Sequence, residues 1–221
     1  MSAIAVRTRF FLFLLLLFSL ATVPSLRAQS LDAYFGLGTA TDSATPIPLA
    51  LDGVTPFPRE SMGGVFGLFG ADFMITPHLG FGGEYAFRFA QADYSVGWGV
   101  TARPSFYDFN AVYQPLKEGM TRFVPVFQAG LGGAKTTYYI NQQACNGLTG
   151  CSSSNSFLDQ ANHFQLHFSG GVKIHLTDSI FVRPQVDVHW INNFNDINAP
   201  VYGRNWVPQY TVAIGYTFGA H

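Results

Sequence analysis

Charged residues are scarce in this sequence of 221 residues. Lys, Arg, Asp and Glu make up 11% of it and the formal net charge is −1, so nothing predicts a nucleic-acid partner. Cysteine is almost absent as well. The first of only two is Cys145, which excludes a lipoprotein acylation site near the N-terminus. Beyond the N-terminal segment, no apolar run is long enough to predict a membrane-spanning helix.

The N-terminus carries the pattern of a signal peptide. Two arginines precede the apolar stretch 10–23, and the small residues Ser25 and Ala28 after it offer cleavage sites. The stretch falls short of the ~20 apolar residues of a spanning helix, although an uncleaved anchor is the alternative. We predict a signal peptide over residues 1–28, with cleavage after Ser25 or Ala28, and one exported domain over residues 29–221.

Apolar and polar residues alternate with a period of two in most of the exported domain, which is the pattern of β-strands. In HFQLHFSGGVKIHL (163–176), bulky apolar residues fill one face, and three histidines and a lysine lie on the other. Aromatic residues reach 16% of the chain and supply much of the apolar face. The eight predicted strands are residues 31–38, 63–75, 79–91, 102–115, 122–138, 163–176, 180–190 and 209–218.

A few residues break this alternation. Phe66, Leu68 and Phe106 fall on the nominally polar face of their strands. We expect a β-bulge there, or small apolar contacts inside the lumen. Gly83 interrupts the apolar face of the third strand, and we interpret it as a bend.

The connections between these strands alternate in length. The short ones are residues 76–78, 116–121 and 177–179, and the long polar ones are residues 39–62, 92–101, 139–161 and 191–205. A meander with short turns at one end and long loops at the other is typical of a bacterial transmembrane β-barrel. The fold class predicted is therefore an all-β, eight-stranded antiparallel up-and-down barrel.

Three segments carry a resemblance to a known family: the aromatic ending QYTVAIGYTFG (209–219), the Gly-rich strand FQAGLGGA (127–134) and TDSIFVRPQ (177–185). The chain resembles eight-stranded outer-membrane barrels of the OmpA/OmpX type, the outer membrane protein beta-barrel domain family. The resemblance implies a bacterial outer-membrane location, with outer-membrane lipid and the barrel-assembly machinery as partners. Such barrels often end on Phe, whereas Phe218 is followed by three more residues. We expect no peptidoglycan-binding domain after the eighth strand.

The composition of the two faces decides which one points inward. Alternation alone also fits a soluble lipocalin-like barrel, which is apolar inside. Here one face is bulky and nearly uncharged, whereas the other mixes Gly, Ala and Thr with ionisable residues. Eight strands enclose a lumen just wide enough for side chains, so the bulky face should point to lipid. The expected interfacial aromatic belts are Tyr113, Phe123, Phe181 and Phe218 below, and Trp98, Trp190 and Trp206 above.

Histidines on the polar face raise the question of a metal site. His163, His167 and His175 are spaced by about 13 and 26 Å along one strand, which is too far for a single ion. The hairpin through residues 177–179 brings His167 opposite His189, but two imidazoles without a third ligand make a weak site. We predict lumen-lining histidines, with no metal, no cofactor and no catalytic residue.

Charges on the polar face predict a network inside the barrel. Asp72 and Glu84 flank the first short turn, and Lys173 and Arg183 flank the third. Strands two and three face strands six and seven across an eight-stranded barrel, so two acids and two bases should meet at one level. Buried charge must be paired, and a paired network would plug the bore.

A second charged layer is expected above the first. Arg88 should face the wall that bears Asp187, with Asp108 as a further acid near mid-height. Together the two layers make up the predicted lumen charge network.

The long connections offer two further features. Cys145 and Cys151 close a short loop in NQQACNGLTGCSSSN (141–155), and export with an even number of cysteines predicts a disulfide. The loop has no His or acidic neighbour for a metal or catalytic pair. TPIP (45–48) and TPFP (55–58) are interpreted as parts of a rigid solvent loop, rather than a surface that presents apolar residues to a partner.

Three classes of function fit such a barrel. We favour a non-enzymatic barrel at the cell surface, structural or binding an extracellular ligand through its loops. The second is a lipid-modifying enzyme, because similar barrels include lipid A deacylases. Only the pair His167 and Ser169 resembles those enzymes, it faces the lumen, and no convincing acid completes a triad. The third, a narrow gated pore, conflicts with the plug.

Overall fold

The structure, a computed structural model, describes residues 30–41, 62–95, 99–116, 121–146, 150–192 and 206–219. No helix in these ranges is long and apolar enough to cross a membrane. The strands are β1 (Ser30–Ala40), β2 (Gly64–Met74), β3 (Leu79–Arg88), β4 (Ala92–Ser95), β5 (Val100–Tyr113), β6 (Phe123–Asn146), β7 (Gly150–His175), β8 (Ile180–Ile191) and β9 (Trp206–Gly219).

Eight of these strands form a closed antiparallel barrel. Neighbours in the chain are neighbours in the sheet, β3 pairs with β5, and the pairing of β1 with β9 closes the ring. The short strand β4 lies outside this count, because it extends the sheet by pairing with the first residues of β5. The predicted eight-stranded up-and-down barrel is confirmed.

Two of the short turns share one hydrogen-bonding pattern. The backbone N–H of Leu79 donates to the Thr76 hydroxyl at 2.9 Å, and that of Ile180 donates to the Thr177 hydroxyl at 2.9 Å. Threonine hydroxyls hold tight turns in this way because they bond the backbone a few residues along the chain. These turns set the register of β2 with β3 and of β7 with β8, and so the level of every lumen side chain.

The burial pattern confirms that the apolar face points outward. In β1, Asp32 and Tyr34 are buried, whereas Leu31 and Phe35 are 41% and 38% exposed. The other barrel strands alternate in the same sense, so the exterior is a wall of large apolar side chains. One belt residue was predicted wrongly, since Phe181 is fully buried in the lumen. It lies an even number of residues from the lumen residue Arg183, and strand parity overrides its position near the strand end.

The residues that break the alternation are resolved as lumen contacts. Phe66, Leu68 and Phe106 are buried, and the rings of Phe66 and Phe106 stack at 5.6 Å. The pairing of their strands runs without a register shift, so no bulge is present there. Gly83 also pairs in register with both neighbouring strands and does not interrupt β3 as expected.

Two predicted loops are largely strand. The stretch 139–161 continues β6 and β7 as a hairpin that rises beyond the barrel, with one irregularity at Tyr138 and Tyr139. The stretch 92–101 contains β4 and the first residues of β5. Alternation did not reveal the hairpin, because polar residues occupy odd and even positions alike in 141–155.

Several predictions fall outside the described residues. They concern the signal peptide, the segments TPIP and TPFP, and Trp98. The backbone pairs Cys145 directly opposite Cys151. Their side chains are beyond what the structure describes, so the disulfide stays a prediction.

Candidate functional site: the lumen charge network

Arg183 is the centre of the lower layer. Its Nη1 donates to Asp72 Oδ2 at 2.7 Å, and its Nη2 donates to Glu84 Oε1 at 2.5 Å. The guanidinium also lies over the ring of Tyr34, with Cζ 4.0 Å from the centroid, and the Tyr34 hydroxyl donates to Glu84 Oε1 at 2.7 Å. Arg183 is 1% exposed, so each of these groups exchanges water for a partner within the barrel.

Lys173 has a different partner from the one expected. It forms an ion pair with Asp32 of β1, which also accepts a hydrogen bond from the Thr217 hydroxyl at 2.6 Å. The register explains the difference. Lys173 lies beside Arg183 on neighbouring strands, and Asp32 is paired with Asp72. Lys173 therefore pairs with Asp32, while Arg183 pairs with Asp72 and Glu84.

Glutamine side chains complete the lower layer. Gln128 donates from Nε2 to Asp72 Oδ1 at 3.0 Å, and Gln185 accepts from Arg183 Nε at 2.6 Å. Gln185 also donates to Asp187 Oδ1 at 2.9 Å, which links this layer to the next one. Because an amide both donates and accepts, it can join two charged groups that are too far apart to meet.

The upper layer is built around His167. Its Nδ1 is 2.9 Å from Asn110 Oδ1 and 3.3 Å from Asp108 Oδ1, and its Nε2 is 3.4 Å from Asp187 Oδ1. All four side chains are buried. The imidazole thus lies between two carboxylates that belong to different strands, β5 and β8.

Arg88 lies beside Gly64, where a side chain would approach Arg88 Nε to 2.7 Å. Asp187 contacts His167 and Gln185. The expected position of Arg88 opposite the wall of Asp187 stays a prediction, because the levels of facing strands depend on the stagger of the barrel, which alternation does not determine.

Aromatic rings adjoin the upper layer. His189 stacks on Phe106, with ring centroids 4.2 Å apart, and on His167, with centroids 5.0 Å apart. Phe66 stacks in turn on Phe106, with ring centroids 5.6 Å apart. An apolar layer therefore follows the charged layers toward the end of the barrel with the long connections.

The family model described as outer membrane protein beta-barrel domain matches residues 13–218. The chain belongs to this family. Its described strands form an outer-membrane barrel, and the bulky apolar wall is the surface that faces lipid. No curated protein matches the sequence.

Solved structures of outer-membrane barrels are similar in fold to this one. OprG of Pseudomonas aeruginosa has a TM-score of 0.53 at 14% identity, over 88% of this chain and 98% of that chain. Neisserial surface protein A has a TM-score of 0.51 at 13% identity, over 86% and 97%. Ail, the attachment invasion locus protein of Yersinia pestis, has a TM-score of 0.50 at 11% identity, over 86% and 99%. At such identities the likeness shows the fold alone.

The arrangement of His167 and Ser169 in this outer-membrane barrel differs from that of a catalytic triad. Asp187 Oδ1 lies 3.4 Å from His167 Nε2, and Asp187 is directly opposite Ser169 in the pairing of β7 with β8, so an acid not recognised as a neighbour from the sequence lies beside the pair. In a hydrolase triad the histidine lies between the nucleophile and the acid. Here the acid lies beside both residues, opposite Ser169.

Several members of the network were missed from the sequence, namely Asp32, Tyr34, Asn110, Gln128 and Gln185. Each one occupies a lumen position by strand parity, which was available as a signal. Four of them are neutral side chains, which a pattern of charges and histidines does not reveal, and the level of Asp32 depends on the stagger between strands.

Proposed function

We propose that this protein is a non-enzymatic outer-membrane barrel with a closed bore, which binds a partner at the cell surface through its long connections. The observation that carries the proposal is the contrast between the two parts of the chain. The lumen is filled by paired charges and aromatic rings, whereas the β6–β7 hairpin reaches well beyond the barrel.

The filled lumen supports the closed bore. Arg183, Lys173 and His167 each contact carboxylates from facing strands, and all three are at most 1% exposed. An eight-stranded barrel has little room beyond its own side chains. In planar bilayers the wild-type protein should show no steady ion conductance. Stable single-channel steps at neutral pH would overturn the closed bore and favour the narrow pore.

The hairpin supports the surface-binding role. Residues 153–160 are exposed, and among them Phe157 and Leu158 present apolar side chains to water at 61% and 50% exposure. The stretch 139–161 is rich in Ser, Asn and Gln and contains neither Lys nor Arg. Adaptable polar side chains around a few apolar anchors are typical of binding loops.

The charge of the hairpin narrows the kind of partner. Ail has been solved in complex with a heparin analogue, sucrose octasulfate. Without Lys or Arg in residues 139–161, this hairpin offers no charged group to pair with sulfate. We therefore expect an uncharged glycan or a protein surface.

A binding screen with the detergent-folded barrel tests this role. Three proteins are compared: wild type, a variant with residues 141–155 replaced by a two-residue turn, and the pair Phe157→Ser with Leu158→Ser. Asp178→Asn, at an exposed position in the turn at the opposite end of the barrel, is the control. Ligands held by wild type and by the control should be lost from the other two variants. Undiminished binding to the shortened hairpin would remove the hairpin from the proposal.

The remaining features of the proposal concern export and assembly. We infer that residues 1–28 are removed on export, and that barrel-assembly machinery inserts the domain among outer-membrane lipids, as the sequence pattern predicts. The intact mass of protein purified from outer membranes checks the first point. A mass that retains the apolar stretch 10–23 would contradict it.

A further inference from the structure

Acids outnumber bases in the buried part of the lumen. Among the described residues, five carboxylates and only two permanently cationic side chains are at most 5% exposed. The carboxylates are Asp32, Asp72, Glu84, Asp108 and Asp187, and the two bases are Lys173 and Arg183. Arg88 is only partly buried and lies beside Gly64. Since buried charge is costly unless compensated, the lumen has room for further positive charge.

The excess is concentrated where the histidines lie. Lys173 neutralises Asp32, and Arg183 serves Asp72 and Glu84 together. Asp108 and Asp187 are left with His167 between them.

The same side chains form a set of metal-ligand atoms. Asp108, His167 and His189 each offer one ligand atom, and these atoms lie within 4.8 Å of one another. The sequence had supplied only the two imidazoles, and the fold brings in the carboxylate from β5. A tetrahedral ion with bonds of ~2.0–2.1 Å separates its ligands by about 3.3 Å, so small side-chain rotations suffice.

His189 provides an independent observation. It is 2% exposed, and neither ring nitrogen makes a hydrogen bond of acceptable geometry among the described residues, although the side chain of Gln209 lies nearby. Buried polar nitrogens normally have a partner, and this ring lies face to face with His167 above the two carboxylates.

We propose that Asp108, His167 and His189 bind a divalent transition-metal ion of the Zn²⁺ type in the lumen. His167 would bind through Nδ1, the nitrogen on the Asp108 side, which would give up its contact with Asn110 Oδ1, and donate from Nε2 to Asp187. A carboxylate that accepts from the second nitrogen of a metal-bound histidine fixes the tautomer and orients the ring. The ion neutralises Asp108 and Asp187 together. This site is independent of the surface-binding role.

The competing account needs no ion. A protonated His167 alone could bridge Asp108 and Asp187, with His189 as a neutral ring stacked on Phe106. The two accounts differ in what they predict for His189, which is essential only for the metal.

Metal content after refolding distinguishes the two accounts. Because the site is enclosed, the full domain is refolded from urea into detergent with excess Zn²⁺, and loose ion is removed by gel filtration. Wild type should retain about one Zn²⁺ per barrel, and Mg²⁺ should not displace it, since Mg²⁺ prefers an octahedron of oxygens. Retained Zn²⁺ should also raise the urea midpoint of unfolding.

Variants locate the ion. His189→Gln and Asp108→Asn should each weaken Zn²⁺ binding by at least about 100-fold, and His189→Phe should do so while it keeps the ring stacked on Phe106. His175→Gln is the matched control, because it changes a histidine on β7, the strand of His167, that belongs to neither ligand group. It should retain wild-type metal content. Mobility in unboiled gels shows which variants are folded.

Two results overturn the proposal. One is a folded wild type that retains no Zn²⁺ after refolding with the ion. The other is Zn²⁺ content that survives in folded His189→Phe and Asp108→Asn, which would place the ion elsewhere.

Discussion

At the scale of the residue, the stability of the lumen depends on which acid pairs with which base. Arg183 joins Asp72 and Glu84 and is covered by Tyr34, so its removal leaves two buried acids without their base. Strand parity predicts that these side chains share the lumen. It does not predict their pairing, because Lys173 and Arg183 are neighbours and compete for the same acids.

Substitution of Arg183 should therefore destabilise the folded barrel. Arg183→Met should lower the free energy of unfolding by about 3–5 kcal/mol, or less if lumen water reaches the freed acids. Urea unfolding of the detergent-folded barrel measures it. Arg103→Met, at an exposed position on β5, is the control and should change stability by less than about 0.5 kcal/mol. An Arg183 effect as small as that of the control would mean that the ion pairs contribute nothing.

Coupling energies from double-mutant cycles test whether Lys173 pairs with Asp32 or with Glu84. A double-mutant cycle of Lys173→Met with Asp32→Asn should show a coupling energy of about 0.5–3 kcal/mol, because the two groups form an ion pair. The cycle of Lys173→Met with Glu84→Gln should be closer to additive, since Glu84 is bound by Arg183. A larger coupling energy for Lys173 with Glu84 than for Lys173 with Asp32 would contradict this pairing and favour the layer first expected from the sequence.

At the scale of the element, the barrel strands and the hairpin differ in how well the sequence describes them. Six of the eight barrel strands were predicted within three residues, whereas β6 and β7 extend well beyond the predicted segments 122–138 and 163–176. Lipid on one side and lumen on the other enforce strict alternation within the barrel. Residues 141, 142 and 153–155 are exposed, and the sequence 141–155 carries no such pattern. The strands there are recognised by their backbone pairing.

This hairpin should be separable from the barrel. Cys145 and Cys151 are paired in register near its tip, and we expect their thiols to resist labelling until reductant is added. Cys145→Ser with Cys151→Ser should leave unchanged both the urea midpoint and the mobility shift on boiling in SDS, because the bridge crosses no barrel seam. Two thiols that react without reductant would exclude the disulfide.

At the scale of the whole molecule, the barrel is inverted relative to a soluble protein. Its apolar side chains lie outside and its charged side chains lie inside. Composition predicted this, because the bulky face would overfill an eight-stranded lumen. The stagger between facing strands was not predictable from alternation. For that reason the ion pair of Lys173 with Asp32 and the contact of Asp108 with His167 were not predicted.

Quenching of tryptophan fluorescence by brominated lipid tails tests this inversion most directly. In a background with all three native tryptophans changed to Phe, one Trp is placed on β5 by either Phe109→Trp or Phe106→Trp. Phe109 is 72% exposed and Phe106 is fully buried, although they are three residues apart. The account predicts strong quenching for Phe109→Trp and little for Phe106→Trp in a folded barrel. Equal quenching at both positions, or stronger quenching at position 106, would contradict it.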